Sequence, residues 1–387
     1  MKNNIDKFDK LIDYIKKIYS SENNINLHSP VFIGNEKKYL KECIDSTFVS
    51  SIGKFVDKFE NEIAKFTGVK RAVLCVNGTN ALHISLKLTG VSSGDDVLTQ
   101  SLTFIATSNA IRYCNANPVF IDVDRDTLGM SPKSLRDFLE NCTYSNNGKL
   151  YNSISKNKIS ACLPMHTFGR SARISEIKEI CDEYNLKLVE DAAEALGSYY
   201  LDKHLGTFGE LGVISFNGNK IITSGGGGVI ITDNDDLANK AKHLTTQAKL
   251  PHRWEYNHDN IGYNYRMPNI NAALGLAQLE NIHLYINKKR KLAKLYENFF
   301  EKHKIKYINE RKSEKTNYWL SFILASNLEE RDFLLNKFNS NGIMARPAWS
   351  LVNNNLMYIK NQKLDLVNSE WLYERIINIP SSVIVDL

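Results

Sequence analysis

Hydrophobic positions follow a helical period at the start of the chain. Phe8, Leu11, Ile12, Ile15, Ile18 and Tyr19 recur on one face of residues 1–20 and predict an amphipathic helix. This reads as an accessory element that packs on the body of the protein or on a partner subunit. Residues 21–27 form a polar linker, residues 35–47 predict a second helix, and Phe48-Val49-Ser50-Ser51-Ile52-Gly53 predicts a loop with a glycine pivot. Phe55, Val56, Phe59, Ile63 and Phe66 return to helical spacing and stop at Gly68. Short apolar runs then alternate with helical stretches. Strands are predicted at 72–76, 97–99, 119–123, 159–163 and 186–189, with helices at 81–88, 104–113, 132–140 and 174–184, and two more apolar runs follow at 213–216 and 229–231. This alternation predicts an α/β domain, ending near residue 245, with a largely parallel sheet covered on both faces.

The pattern changes twice more. Residues 141–157 are polar and rich in Asn and Ser, and predict an exposed insertion. Residues 246–268 are aromatic and polar with little periodicity. One long helix is predicted from 270 to about 303, followed by a strand at 318–325, a helix at 331–338 and a strand at 343–346. The expected organisation is an accessory helix and linker (1–28), a large α/β domain (29–268, with an N-terminal segment at 29–58) and the long helix with a small α+β domain (269–387).

Composition narrows the class. With 43% hydrophobic and 24% charged residues among 387, the chain is too apolar to be disordered and long enough to bury a large core. The net charge of +6 comes from scattered lysines, which argues against a nucleic-acid footprint. No two of the six cysteines form a C-x-x-C pair; Cys75 and Cys162 lie in apolar runs and read as buried thiols, so a reducing cytoplasm is expected. No signal peptide and no apolar stretch of about 18 residues is found, and no membrane association is expected. No His/Cys/Asp spacing suggests a metal site, and P-loop, G-x-S-x-G and G-x-G-x-x-G patterns are absent.

Candidate chemistry gathers at predicted strand ends, where α/β proteins open a crevice. Asp191 ends one apolar run, Lys220 follows another, and Gly225 to Gly228 open a third. A lysine amine there can form a Schiff base with pyridoxal phosphate, with the Asp191 carboxylate facing the pyridine nitrogen. Taken alone, Asp191 reads equally as a helix N-cap. Asn77-Gly78-Thr79-Asn80 joins a strand to a helix start, which suits a phosphate but reads first as an ordinary N-cap. Ser215 could donate to the same phosphate. Phe104 could stack on a flat ring or fill the core. His166, just past a strand, faces a substrate or is a packed, hydrogen-bonded histidine.

As a set, these motifs resemble the DegT/DnrJ/EryC1/StrS family of pyridoxal-phosphate nucleotide-sugar aminotransferases. The resemblance runs from about Phe32 to Arg346. It includes Gly53-Lys54-Phe55-Val56, the Asn77-to-Asn80 turn, Thr103-Phe104-Ile105-Ala106-Thr107, Glu190-Asp191-Ala192-Ala193-Glu194-Ala195, Ser215 to Gly228, and Gly262-Tyr263-Asn264-Tyr265-Arg266-Met267. It implies the aspartate-aminotransferase (type I) fold, with a large domain and a small C-terminal α+β domain. It implies Lys220 as the Schiff-base lysine, Asp191 as the pyridine partner, Gly78, Thr79 and Ser215 on the phosphate, and Phe104 on the ring. Glu194 takes a place that is often glutamine, near the ring hydroxyl. Asn264 would reach the phosphate of the other subunit's cofactor, which implies a homodimer with shared active sites. Ser51, His166, Arg266 and Arg346 are the candidates for substrate binding.

Phe32 to Glu36, Phe48 to Ser51 and Asn217 to Thr223 look most like the LegC-type subgroup, which resembles enzymes of legionaminic acid or bacillosamine biosynthesis. The expected substrate is therefore UDP-4-keto-6-deoxy-N-acetylglucosamine, with L-glutamate as donor, 2-oxoglutarate as co-product and pyridoxamine phosphate as the alternate cofactor form. A GDP- or dTDP-linked keto sugar (3- or 4-keto), a sugar dehydratase, a plain amino-acid aminotransferase and a non-catalytic regulator of the same fold are the rivals. Lys220 in place of histidine favours transamination over dehydration.

Overall fold

The computed structural model describes residues 2–387, with side chains from residue 6 onward; residue 1 of the predicted first helix lies outside the described residues. Helices α1 (Lys2–Tyr19), α2 (Glu36–Asp45) and α3 (Lys54–Thr67) precede the sheet. Then come β1 (Arg71–Cys75), α4 (Gly78–Leu88), β2 (Asp96–Gln100), α5 (Ile105–Tyr113), β3 (Asn117–Ile121), α6 (Pro132–Cys142), β4 (Ile159–Leu163) and α7 (Ile174–Glu183). The alternation closes with β5 (Lys187–Asp191), β6 (Leu211–Ser215), β7 (Gly228–Thr232) and α8 (Asp235–Thr245).

The seven strands lie in the order β1-β7-β6-β5-β4-β2-β3. Only β7 runs against the others, pairing antiparallel with β1 and β6. Every residue of β2, β4, β6 and β7 is buried, as expected of strands covered on both faces. The pleat divides them between two cores. Val229 and Ile231 of β7 pack toward α3, while Ile230 packs toward α4 and α8. Each such side chain contributes about 1.5–3 kcal/mol by leaving water.

This topology brings the carboxyl ends of β1, β2, β4, β5 and β6 to one edge. The antiparallel β7 starts at that same edge, where Gly228 pairs with both Cys75 and Ser215. A Cβ on Gly228 would come within 2.6 Å of the Asn77 carbonyl carbon and the Gly78 nitrogen. Glycine there lets the turn after β1 lie directly on the neighbouring strand.

The C-terminal part comprises α9 (Asn269–Leu279), α10 (Ile282–His303), β8 (Ser321–Leu324), α11 (Leu328–Ser340), β9 (Arg346–Pro347), α12 (Val367–Tyr373) and β10 (Ile376–Ile379). β8, β10 and β9 form a small antiparallel sheet. The single long helix expected from 270 is two helices, broken at Glu280 and Asn281. The Glu280 carboxylate accepts from Asn35 and Tyr39, tying the break to α2, while α9 packs against α3 in the large core. The insertion at 141–157 is a hairpin, Thr143–Asn146 with Lys149–Asn152. It is anchored, because Asn152, which is buried, and Ser155, which is exposed, both donate to Asp96.

Helix α1 packs on its own chain. Phe8, Leu11, Ile12 and Ile15 share a core with Leu292, Tyr296 and Phe300 of α10 and with Ile323 and Ile377 of the small sheet. Among the described residues no helix is long and apolar enough to cross a membrane.

Candidate functional site

The strand ends surround a cavity of about 330 Å³ lined by Gly78, Thr79, Phe104, Asp191, Glu194, Ser215 and Lys220, among others. Seven residues picked from the sequence thus come together from four separate strand ends. Asn77 caps α4, its side-chain oxygen accepting from the Asn80 amide at 2.8 Å. The first amides of α4 have no helical carbonyl to bond and carry the positive end of the helix dipole toward this cavity. Ser215 ends β6 directly opposite, and a Cβ on Gly78 would lie 3.1 Å from the Ser215 Cβ.

Asp191 is the last residue of β5 and is almost fully enclosed. Thr107 donates to its Oδ2 at 2.7 Å and the Ala193 amide to its Oδ1 at 3.1 Å. Burial pushes its pKa up; the Thr107 hydroxyl, the Ala193 amide and the Lys220 charge oppose that shift without cancelling it.

Lys220 lies in a turn held by its own amide, which donates to the Asn217 carbonyl at 3.0 Å. Its Nζ is 3.0 Å from Glu194 Oε1 and 4.1 Å from the centroid of the Trp319 ring. Trp319 is fixed in turn, because its Nε1 donates to the Asn219 carbonyl at 2.7 Å. Glu194 Oε2 accepts from the Phe168 amide at 2.9 Å. That amide is aimed by a left-handed backbone at Phe168, with φ of 57°, a conformation that costs a non-glycine residue about 1–3 kcal/mol. Burial pushes the Glu194 carboxyl up to about 7 despite its neighbour Lys220. Phe104 stands at the mouth of the cavity as the N-cap residue of α5, half exposed, its ring edge-on to Trp349.

Five candidates lie elsewhere. His166 does not face the cavity: it is fully buried, with Nε2 2.9 Å from Glu190 Oε2 and Nδ1 accepting from the Ala172 amide, so both ring nitrogens are used inside the protein. Arg346 is outside the cavity as well. It lies on the small sheet, where its guanidinium donates to Asn339 and to the Ala345 carbonyl. Ser51 and Arg266 line a separate cavity of about 190 Å³, in which the Arg266 Nε is buried with no hydrogen-bond partner. Asn264 is exposed and pairs with Thr246, outside the main cavity of its own chain.

The sequence reading passed over Thr107, Trp319 and Trp349. Thr107 had a signal: it lies one helical turn after Thr103, and the two hydroxyls are 2.6 Å apart. The tryptophans had none, since they arrive from the far end of the chain. A wider groove of about 760 Å³ runs along the opposite edge of the sheet. It gathers none of the motif residues, and Lys187 and Glu210 there are paired with each other. Among the described residues no group of His, Cys, Asp and Glu is placed to hold a metal ion.

A profile of the DegT/DnrJ/EryC1/StrS aminotransferase family matches residues 32–386. The chain belongs to that family. A GDP-perosamine synthase of Escherichia coli O157:H7 is 38% identical over 357 residues, covering 92% of this chain and 93% of that protein. A putative pyridoxal phosphate-dependent aminotransferase, EpsN, of Bacillus subtilis is 37% identical over 335 residues, covering 86% of this chain and 82% of its own. Among solved structures, the Helicobacter pylori aminotransferase PseC, involved in pseudaminic acid biosynthesis, has the same fold. It matches with a TM-score of 0.84 at 24% identity, covering 92% of this chain and 93% of that one. The protein is a pyridoxal-phosphate-dependent aminotransferase of this family, with the family's α/β fold.

Proposed function

We propose that this aminotransferase transfers an amino group from L-glutamate to the ketone of a GDP-linked 4-keto-6-deoxy sugar. The observation that carries the reaction type is the meeting of Lys220 Nζ and the Asp191 carboxylate in one cavity beside the α4 amides. Support for the nucleotide comes from the Escherichia coli relative, whose name specifies a GDP-linked amino sugar and which aligns along nearly all of both chains. This replaces the UDP-linked substrate expected from the LegC-like motifs.

The residues present fit the cofactor. Gly78, Thr79 and Ser215 would hold its phosphate, Asp191 would hold a proton on the pyridine nitrogen, and Phe104 would cover the ring. Bound there, pyridoxal phosphate supplies an aldehyde to carry the amino group and a cationic ring to draw off electrons. Lys220 Nζ, once free, acts as general base at the substrate carbon that bears the amino group. Trp319 and Trp349 restrict water around that nitrogen.

A homodimer with shared sites belongs to the same proposal. Asn264 is exposed and does not line its own cavity, and the segment around it exposes Trp254, Tyr256 and Ile261, with Phe48 and Ile52 also uncovered. A second copy would cover these apolar side chains and bring Asn264 to the partner's phosphate site.

The test is glutamate-dependent formation of amino sugar, followed by mass, with GDP-, UDP- and dTDP-linked 4-keto-6-deoxy sugars offered separately. Turnover is expected to be fastest with the GDP sugar; turnover with the UDP sugar alone would sink that assignment. For the dimer, mixing Lys220→Ala and Asn264→Ala subunits should restore activity to mixed dimers, and a monomer that stays active would refute shared sites.

A further inference from the structure

Glu194 and Lys220 form an enclosed acid–base pair with few other partners. Glu194 Oε1 contacts Lys220 Nζ at 3.0 Å, and Oε2 accepts only from the Phe168 amide at 2.9 Å. On its other side Lys220 meets the Trp319 ring, which stabilises a cation but takes no proton. A glutamine at 194 would accept from the Phe168 amide equally well, yet could not take a proton from the lysine.

Of the other titratable groups nearby, Asp191 and His166 are committed elsewhere. Both Asp191 oxygens are bonded, to the Thr107 hydroxyl and the Ala193 amide. One layer below, His166 is bound to Glu190. From the N-terminal segment His28 approaches the lysine's loop with neither ring nitrogen hydrogen-bonded, but burial holds it well below its ordinary pKa and so opposes its taking a proton. Lys289 of α10, beside His28, is likewise held toward its neutral form by burial. Lys289 is bonded to the Trp319 and Ser381 carbonyls.

We propose that Glu194 is the proton acceptor for Lys220: when the lysine ammonium becomes a free amine, its proton crosses the contact to Glu194 Oε1 instead of leaving to water. The step converts ammonium and carboxylate into amine and carboxylic acid, with no change in total charge or oxidation state. It rests on the reading of Lys220 as the reacting nucleophile. Two things favour it. Burial places the Glu194 carboxyl at about 7, so its neutral form is reached near neutral pH. Two neutral groups also escape the desolvation cost of two buried charges.

The experiment measures how fast Lys220 of the cofactor-free full-length protein is arylated by 1-fluoro-2,4-dinitrobenzene, read by peptide mass as a function of pH. Only the free amine reacts: its nitrogen bonds the aryl carbon, fluoride leaves, and the N–H proton is lost to the acceptor. In the wild type the rate should climb to about pH 7 and then change less than about twofold over the next unit or so, because two coupled groups share one proton there. In Glu194→Gln the shelf should vanish, and the rate should rise about tenfold per pH unit up to a single midpoint. A wild-type profile without the shelf, or one that superimposes on the Glu194→Gln profile, would overturn the proposal. The wild-type shelf is decisive even if the variant folds poorly. Failure of Lys220 to react at any pH would instead overturn the assignment of the nucleophile.

Discussion

Glu190 and Glu194 lie four residues apart, both enclosed, and their chemistry is opposite. Glu190 accepts from His166 and from the amides of Gly206, Phe208 and Gly209. Burial alone would push its carboxyl up, but the His166 contact and the Gly209 and Gly206 amides outweigh burial and hold it below the ordinary range. Glu194 has one amide and one amine, too few to offset burial, and ends near 7. The number of donors, not the depth of burial, separates a carboxylate that braces the fold from one poised to exchange a proton. The same contrast separates the two basic partners: His166 has both nitrogens engaged, while Lys220 opens onto the cavity.

Substitutions at Lys220, Glu190 and Glu194 test the difference between the two carboxylates. The largest effect is expected from Lys220→Ala, which should cut turnover by on the order of a thousandfold or more while the cofactor still binds without a covalent link. Retained turnover would move the nucleophile elsewhere. Next, Glu190→Ala should cost roughly 3–5 kcal/mol in chemical denaturation, because three amides and His166 lose their acceptor. A loss under about 1 kcal/mol would show that Glu190 is not the brace its contacts indicate.

The smallest effect is a difference in pH dependence. A carboxyl raised in the folded state stabilises below its unfolded value, and that stability is lost as pH rises through the folded value. Cofactor-free Glu194→Gln should therefore gain on the wild type between about pH 4.5 and about 7, by up to roughly 3 kcal/mol. Glu190, depressed in the folded state, contributes stability above the ordinary carboxylate value that fades only as pH falls further. A flat difference between Glu194→Gln and wild type across that window would remove the distinction between the two glutamates.

Much of this site is legible from one dimension. Asp191 and Ser215 end strands whose apolar runs are plain in the sequence, and the Asn77-to-Asn80 turn shows its cap and its glycine. Lys220 stands out as a charged residue between a strand and a glycine run. The rest depends on neighbours that no local pattern encodes. His166 follows a strand just as a ligand-facing residue would, but Glu190 on the adjacent strand captures it. The helix expected to run unbroken from 270 ends at Glu280, whose carboxylate accepts from Asn35 and Tyr39 of a distant segment.

Periodicity alone determined the alternating elements, the two-faced burial of the sheet and the placing of reactive side chains at strand ends, because each follows from spacing within a few residues. Tertiary structure decided which of those ends meet. Strand order sets β7 between β1 and β6, so the phosphate-suited turn faces Ser215 across Gly228. Chain return from the C-terminal region lays Trp319 on Lys220. A left-handed turn at Phe168 aims one amide at Glu194, too little to offset the burial that raises its carboxyl. Such contacts depend on which distant segments pack together, and the spacing of residues within any one segment carries no record of that.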